Sequence, residues 1–280
     1  MNVLVLGASG LLGQALFKGI GGSNNVFGTI RDIQMKFFFP KDTQEYLIEI
    51  KDIFCLNELE QILKKFEIDV VINCISISDI YNQSEKLLNS IFGKFPHDLA
   101  LLCSKNNIRV IQISSDGIFS GACGNYLECD KPDPIDLYGS AKLKGELDGP
   151  NQITIRTSII GHDSIKRNGL LEWFLLQKKA NLYSNYIFSG ITTNEFALII
   201  RDYILNYDSL EGIYHIASSP ISKYDLLKLV SKKYHLKNTI IKDDSVKINR
   251  SLSALKFLKV TGYKAPTWEK LIQNMKEGSY

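Results

Sequence analysis

Cysteine is scarce and unpatterned in this 280-residue chain: Cys55, Cys74, Cys103, Cys123 and Cys129 are odd in number and form no CxxC pair. That excludes a secreted disulfide framework and predicts unpaired thiols in a reducing compartment. The four histidines, His97, His162, His215 and His235, show no metal-ligand spacing, so no metal site is expected. Neither sign of charge dominates, because 33 basic and 30 acidic residues lie scattered along the chain and leave a net charge of +3. A nucleic-acid or membrane-surface partner needs a concentrated basic face, and neither is expected. Long apolar runs are missing too. The opening MNVLVLGASG has no basic segment and turns to glycine too early for a signal peptide or a membrane span. The expectation is a soluble, cytoplasmic protein.

What is present is a globular composition, 45% hydrophobic and 22% charged, enough to bury a sizeable core. Short apolar runs alternate with helical patterns. Val3–Leu6, Asn25–Ile30, Tyr46–Ile50, Asp69–Ile75, Ile108–Ser114 and Gln152–Ile160 read as strands. Leu11–Ile20, Leu56–Phe66, Pro96–Lys105 and Tyr138–Leu147 read as helices between them. This alternation predicts βαβ units and an α/β fold with a doubly wound parallel sheet. The sheet is expected over residues 1–160, with 161–280 forming a smaller lobe that returns one strand near 212–217. In that lobe Ser222 and Asp225 resemble a capping box opening a helix, followed by a short strand at Thr239–Lys242 and a helix from about Pro266.

The first strand runs into Gly7-Ala8-Ser9-Gly10-Leu11-Leu12-Gly13. Gly7 suits a tight turn, Gly10 close approach to a pyrophosphate, and Gly13 close helix–strand packing. The helix N-terminus would then offer amides and positive dipole to the phosphates. This spacing at a first strand–helix junction predicts dinucleotide binding. After the second strand, where an acidic residue would bind the 2′-hydroxyl of NAD, the chain has Arg31 followed by Asp32. A guanidinium there suits a 2′-phosphate, which favours NADP(H) over NAD(H).

Tyr138 and Lys142 stand at i and i+4, on one helix face. With 13 tyrosines in the chain, roughly one such pair is expected by chance, so its position carries the weight. The pair follows the fifth strand, which ends at Ser114-Ser115-Asp116, and ligands in such sheets sit outside the carboxyl ends of the strands. A tyrosine needs a nearby cation to exchange a proton near neutral pH, and Lys142 can supply it. The Ser115 hydroxyl could hydrogen-bond a carbonyl oxygen as it gains charge.

The segments GASGLLG, DVVINCISIS, ISSDGIFSG, YGSAKLKGE, IRTSIIG and FSGITTNEFA run in an order that resembles the extended short-chain dehydrogenase/reductases, and among them the dTDP-4-dehydrorhamnose reductase group. The later GIYHIASSPISKYDLL is similar to the C-terminal lobe of related sugar-nucleotide proteins. The resemblance implies NAD(P)H-dependent reduction of a nucleotide-linked 4-keto-6-deoxy sugar, in deoxysugar or cell-surface polysaccharide biosynthesis. It implies Ser115 as the catalytic hydroxyl, Tyr138 as proton donor and Lys142 as its partner and ribose ligand. It also implies Asp52 and Ile53 near adenine, and Cys74, Ile75 and Ser76 beside the cofactor. Phe119 and Ile159, with Ser115, fall at substrate positions, and a homodimer is the family expectation.

Two departures bear on the substrate. The family's STDYVFDG lacks its tyrosine and second aspartate here, where Gly117 and Ser120 stand, and Ile159 replaces a tryptophan. The sugar, and dTDP, UDP or GDP as its carrier, therefore stay open. Two other functions fit the same pattern: an epimerase or dehydratase on this scaffold, and a non-catalytic NADP-binding regulatory subunit. The remaining conspicuous residues read as structural. His215 lies in a strand, and the Phe37-Phe38-Phe39 cluster suits a core or interface edge. The pairs Lys64-Lys65, Lys178-Lys179 and Lys232-Lys233 suit solvated faces in or near helical segments. Only His162, after the sixth strand, stands near the expected cleft.

Overall fold

The computed structural model describes residues 1–77, 79–207 and 209–278; Ser78, which ends the DVVINCISIS segment, lies outside them. Six strands come first: β1 (Asn2–Leu6), β2 (Asn25–Ile30), β3 (Leu47–Glu49), β4 (Val70–Asn73), β5 (Arg109–Ile113) and β6 (Gln152–Arg156). Helices α1 (Leu11–Gly19), α2 (Leu56–Lys65), α3 (Glu85–Leu88), α4 (Phe95–Lys105) and α5 (Leu137–Lys144) connect them. The chain then forms β7 (Ile159–Ile160), α6 (Leu170–Leu175), β8 (Lys179–Phe188), β9 (Ile191–Thr192) and α7 (Thr193–Ile199). It continues through β10 (Gly212–His215), β11 (Ile221–Ser222), α8 (Lys223–Tyr234), β12 (Thr239–Asn249), α9 (Leu255–Thr261) and α10 (Trp268–Glu277).

The seven-stranded sheet has the order β3-β2-β1-β4-β5-β6-β10, and every pairing in it is parallel. Alternation along its strands divides the core. Val3, Val5, Val70, Ile72, Ile111 and Ile113 pack on one face, with α1 and α7 residues such as Leu16 and Phe196. Leu4, Leu6, Val71 and Val110 pack on the other, against Leu59 of α2 and Leu99 of α4. Burial on both faces is why these strands read as near-continuous apolar runs. The expected doubly wound α/β sheet is the observed one. Its strand order reverses between β1 and β4, which places a crevice above their carboxyl ends.

The structure departs from the sequence reading in four elements. Gln152–Ile160 is two strands: β6 ends at Arg156, and Ile159–Ile160 leaves the main sheet to pair with β9. Thr239–Lys242 extends to Asn249 as β12, which pairs with β8 across a register shift between Asp243 and Lys247. The unexpected β8 is the middle strand of a three-stranded sheet, β11-β8-β12. The helix assigned from Pro96 begins upstream, because α3 passes into α4 through a π-helical turn over Asn89–Lys94. Pro96 cannot donate a helical hydrogen bond, and the widened turn upstream, where Phe95 N–H bonds Ser90 O, accommodates it. All five cysteines are unpaired, with Cys74 and Cys103 buried.

Candidate active site

The turn between β1 and α1 is built by close approach. Gly7 adopts φ +80°, and a Cβ on Gly13 would sit 2.1 Å from the Gly7 carbonyl oxygen, so only glycine fits beneath the turn. Thr29 of β2 anchors it: the Gly7 N–H donates to Thr29 Oγ1 at 3.0 Å and the Ala8 N–H to the Thr29 carbonyl at 2.8 Å. Gly10 caps α1 without a side-chain hydrogen bond, leaving the first-turn amides available to a ligand.

That helix end opens onto a cavity of about 660 Å³. Gly10, Leu11 and Leu12 form one end, Cys74, Ile75 and Ser76 follow β4, and Ser115, Tyr138, Lys142 and Ile159 line the remainder. Ten residues singled out in the sequence therefore share one cavity. Gly7, Ser9 and Gly13 lie in the turn behind it. Arg31 and Asp52 are exposed beyond the ends of β2 and β3, with Ile53 half-buried beside Asp52. Phe119 departs from expectation: it is fully buried and stacked on Tyr126 at 4.1 Å, packed in the core and outside the cavity lining.

Ser115 caps the short turn after β5, its Oγ accepting the Gly117 N–H at 3.0 Å. Tyr138 opens the face of α5, held edge-on against Phe92 at 5.4 Å. The approach of α5 to the Ser115 turn is set by Gly139, where a Cβ would meet the Gly117 carbonyl oxygen at 2.1 Å. Asp136 caps the same helix by accepting the Gly139 N–H at 2.7 Å. Lys142 is 6% exposed; its Nζ donates to the Ile113 carbonyl at 3.0 Å and lies 4.5 Å from the Phe92 ring centre. Burial pushes the Lys142 pKa down to about 8, against an opposing influence from Cys74 and Glu146. Burial also raises the Asp116 pKa, opposed by Lys223, Arg250 and the hydroxyls of Ser115 and Ser158.

The cavity wall after β6 escaped the sequence reading. Thr157, Ser158, Asp163, Lys166, Asn168 and Gly169 line it. Asp163 is its organiser, accepting Gln14 Nε2 at 3.0 Å and the Ile165, Lys166 and Asn168 backbone N–H groups. A buried aspartate followed by polar residues and a glycine is a legible loop signal, but a weak one. His162 turns elsewhere, bonded to Glu172 and to Tyr234, each at 2.9 Å. His215 is fully buried and bonds the Tyr126 carbonyl through Nδ1 at 3.1 Å.

The family model described as RmlD substrate binding domain matches residues 1–277. The chain belongs to that family. Among curated proteins, this RmlD-type chain is 31% identical over 150 residues to the probable low-salt glycan biosynthesis reductase Agl14 of Haloferax volcanii, covering 52% of this chain and 48% of that protein. It is 29% identical over 148 residues to the methionine adenosyltransferase 2 subunit beta of Bos taurus, covering 52% of this chain and 41% of that protein. Each match thus spans half or less of the relative's own length. Among solved structures, the dTDP-4-dehydrorhamnose reductase of Bacillus anthracis in complex with NADP superposes with a TM-score of 0.78 at 18% identity, covering 100% of this chain and 99% of that one. Among the described residues of this family member, no helix is long and apolar enough to cross a membrane.

Proposed function

We propose that this chain is an NAD(P)H-dependent reductase of a nucleotide-linked 4-keto-6-deoxy sugar, with NADPH preferred. The observation that carries the reading is a cavity bounded by the amide end of α1 and by Ser115, Tyr138 and Lys142 together. The glycine cradle fits a dinucleotide: a Cβ on Gly13 would collide with the turn, and the capping Gly10 adds no side chain over the first-turn amides. Lys142 would hold the ribose hydroxyls and Ile75 and Ser76 would flank the cofactor. Asp32 is occupied in capping the Gln34 N–H at 2.9 Å, while Arg31 is exposed at the tip of β2 where a 2′-phosphate would be met, which supports the NADPH preference.

When bound, the reduced nicotinamide supplies a hydride to the C4 carbonyl carbon. Ser115 Oγ donates a hydrogen bond to the carbonyl oxygen and stabilises its developing charge. Tyr138 transfers its phenolic proton to that oxygen, and the Lys142 ammonium lowers the cost of the phenolate left behind. The buried walls of the cavity, Leu12, Ile113 and Cys74, limit water at the reacting centre.

The test is NADPH oxidation, followed by absorbance, with 4-keto-6-deoxy sugars carried on dTDP, UDP and GDP, repeated with NADH. Turnover on one carrier is expected, faster with NADPH. No turnover on any of them, with NADPH bound, would sink the reading. The likeness to a methionine adenosyltransferase beta subunit favours a second reading, a non-catalytic NADP-binding subunit. That reading predicts binding without turnover and a stable complex with a separate enzyme.

A further inference from the structure

Behind the cavity lies a buried charge network that the proposed chemistry does not use. Glu146 follows α5 with its side chain only 7% exposed. Its Oε1 accepts Ser114 Oγ at 2.7 Å and Arg156 Nε at 2.9 Å, and its Oε2 accepts Arg156 Nη2 at 2.7 Å. Arg156 ends β6 with its side chain 4% exposed, and its Nη1 donates to the Glu128 carbonyl at 3.3 Å and lies 3.4 Å from His215 Nε2. The network thereby joins the carboxyl ends of β5, β6 and β10 to the end of α5. A buried ion pair contributes little net stability compared with apolar residues of the same volume, so stability alone gives it no reason to sit here.

Its neighbours suggest the reason. Ser114 directly precedes Ser115, and Lys142 stands four residues before Glu146. We propose that Glu146 is a positioning residue for the site: its carboxylate ties the strand end carrying Ser115 to the end of α5 and serves as a buried counter-charge to the Lys142 ammonium. The proposal rests on Ser115, Tyr138 and Lys142 being the reacting groups. Among the described residues, few groups surround Lys142 Nζ. Phe92 offers a ring face and Ile113 a carbonyl, Tyr138 comes from its own helix, Glu146 from the segment just after that helix and Cys74 from the segment after β4. Burial pushes the Cys74 thiol up to about 12, so it is neutral near pH 7 and Glu146 is left as the anion acting on Lys142.

The test reads Lys142 directly in the protein without cofactor. The rate of its acetylation by acetic anhydride is measured against pH by peptide mass spectrometry, in wild type, Glu146→Gln, the charge-neutral double variant Glu146→Gln/Arg156→Met, and Ser114→Ala. Glu146→Gln is expected to move the Lys142 midpoint down by about one pH unit; the double variant, which removes the Arg156 cation as well, should move it down by less, and it keeps the measurement alive if Glu146→Gln alone does not fold. Ser114→Ala should leave the midpoint in place yet lower kcat about tenfold at unchanged KM, through loosened placement of Ser115. Coincident midpoints in wild type and the folded charge variants overturn the counter-charge role, and an unchanged kcat in Ser114→Ala overturns the tether. Should wild type reduce no keto sugar, the functional reading fails, while the acetylation result still decides what Glu146 does to Lys142.

Discussion

Lys142 is a cation kept among a ring face, a backbone carbonyl and a neutral thiol, and its chemistry follows from that confinement. Its native pKa of about 8 lies below the roughly 10.4 of an unfolded lysine, so the native state gives up the proton first. Charging Lys142 therefore costs stability below about pH 8, and the cost disappears as pH rises from there toward 10.4. Function runs the opposite way. NADPH affinity, followed by fluorescence, is expected to fall as pH rises through about 8, and Lys142→Met should bind weakly with no such step. A wild-type profile flat between pH 7 and 9 would remove Lys142 from the cofactor site. Tyr138→Phe should lower kcat by about 10²–10⁴-fold while leaving NADPH binding intact, because it removes a proton and little else. At the tip of β2, Arg31→Glu should raise KM for NADPH and not for NADH; equal effects on both would refute contact with a 2′-phosphate.

Two elements meet the site through glycines, and each gives a sharp expectation. Gly13→Ala puts a methyl 2.1 Å from the Gly7 carbonyl, so α1 must move off the turn. The expected outcome is a loss of about 1–3 kcal/mol in denaturant unfolding together with loss of NADPH binding. Gly139→Ala pushes α5 from the Ser115 turn, and should lower kcat more than it weakens NADPH binding; the reverse order would mean that α5 serves the cofactor alone. Elements with a clear period were legible in the sequence. β1, β4 and β5 are runs of Val, Ile and Leu buried on both faces, and α2 shows Leu59 and Ile62 on its inner face. β8 was not legible, because KANLYSNYIF alternates buried Ala180 and Leu182 with exposed polar residues and with Tyr183, on a face left to solvent. The far half of β12, DDSVKIN, hides because none of its residues is buried and only Val246 and Ile248 are apolar. The break at Thr157 and Ser158 is invisible in an apolar run, since it depends on β9 arriving from elsewhere in the chain to pair with Ile159. The glycine turn announces itself locally, and the Tyr138–Lys142 spacing does so through its place after the fifth strand. The Glu146–Arg156 pair does not, because it joins the end of a helix to a strand, and the Asp163 loop does so only weakly, because its turn is local but its contact with Gln14 is 149 residues away. Phe119 shows the converse: its motif position suggests a substrate contact, whereas Tyr126, Ala217 and Leu252 enclose it.

At the scale of the molecule, the strand that closes the sheet comes from the far side of a long excursion. β10 pairs with β6 only after residues 157–211 have formed α6, β8 and α7. His215, in β10, is part of that closure, and burial with the nearby Arg156 pushes its pKa down to about 3. The unfolded chain binds the proton near pH 6.5 and the native chain does not, so stability should fall as pH drops from about 6.5 toward 3, by up to about 1.4 kcal/mol per unit. Thermal melts across that range check it, and a His215→Gln chain with the same slope as wild type would refute it. A chain ended at residue 160 should fail to fold, since the sheet face that packs against Phe196, Ile199 and Leu271 would be left bare; a cooperative melt from that fragment would show otherwise. The order of synthesis gives the same topology a temporal meaning. As the nascent chain leaves the ribosome, six strands emerge in succession, and Arg156 waits at an open edge until His215 has appeared. For the time taken to translate that interval, β6 takes the edge position that β10 holds in the finished sheet, and the apolar face later covered by α7 and α10 stands open.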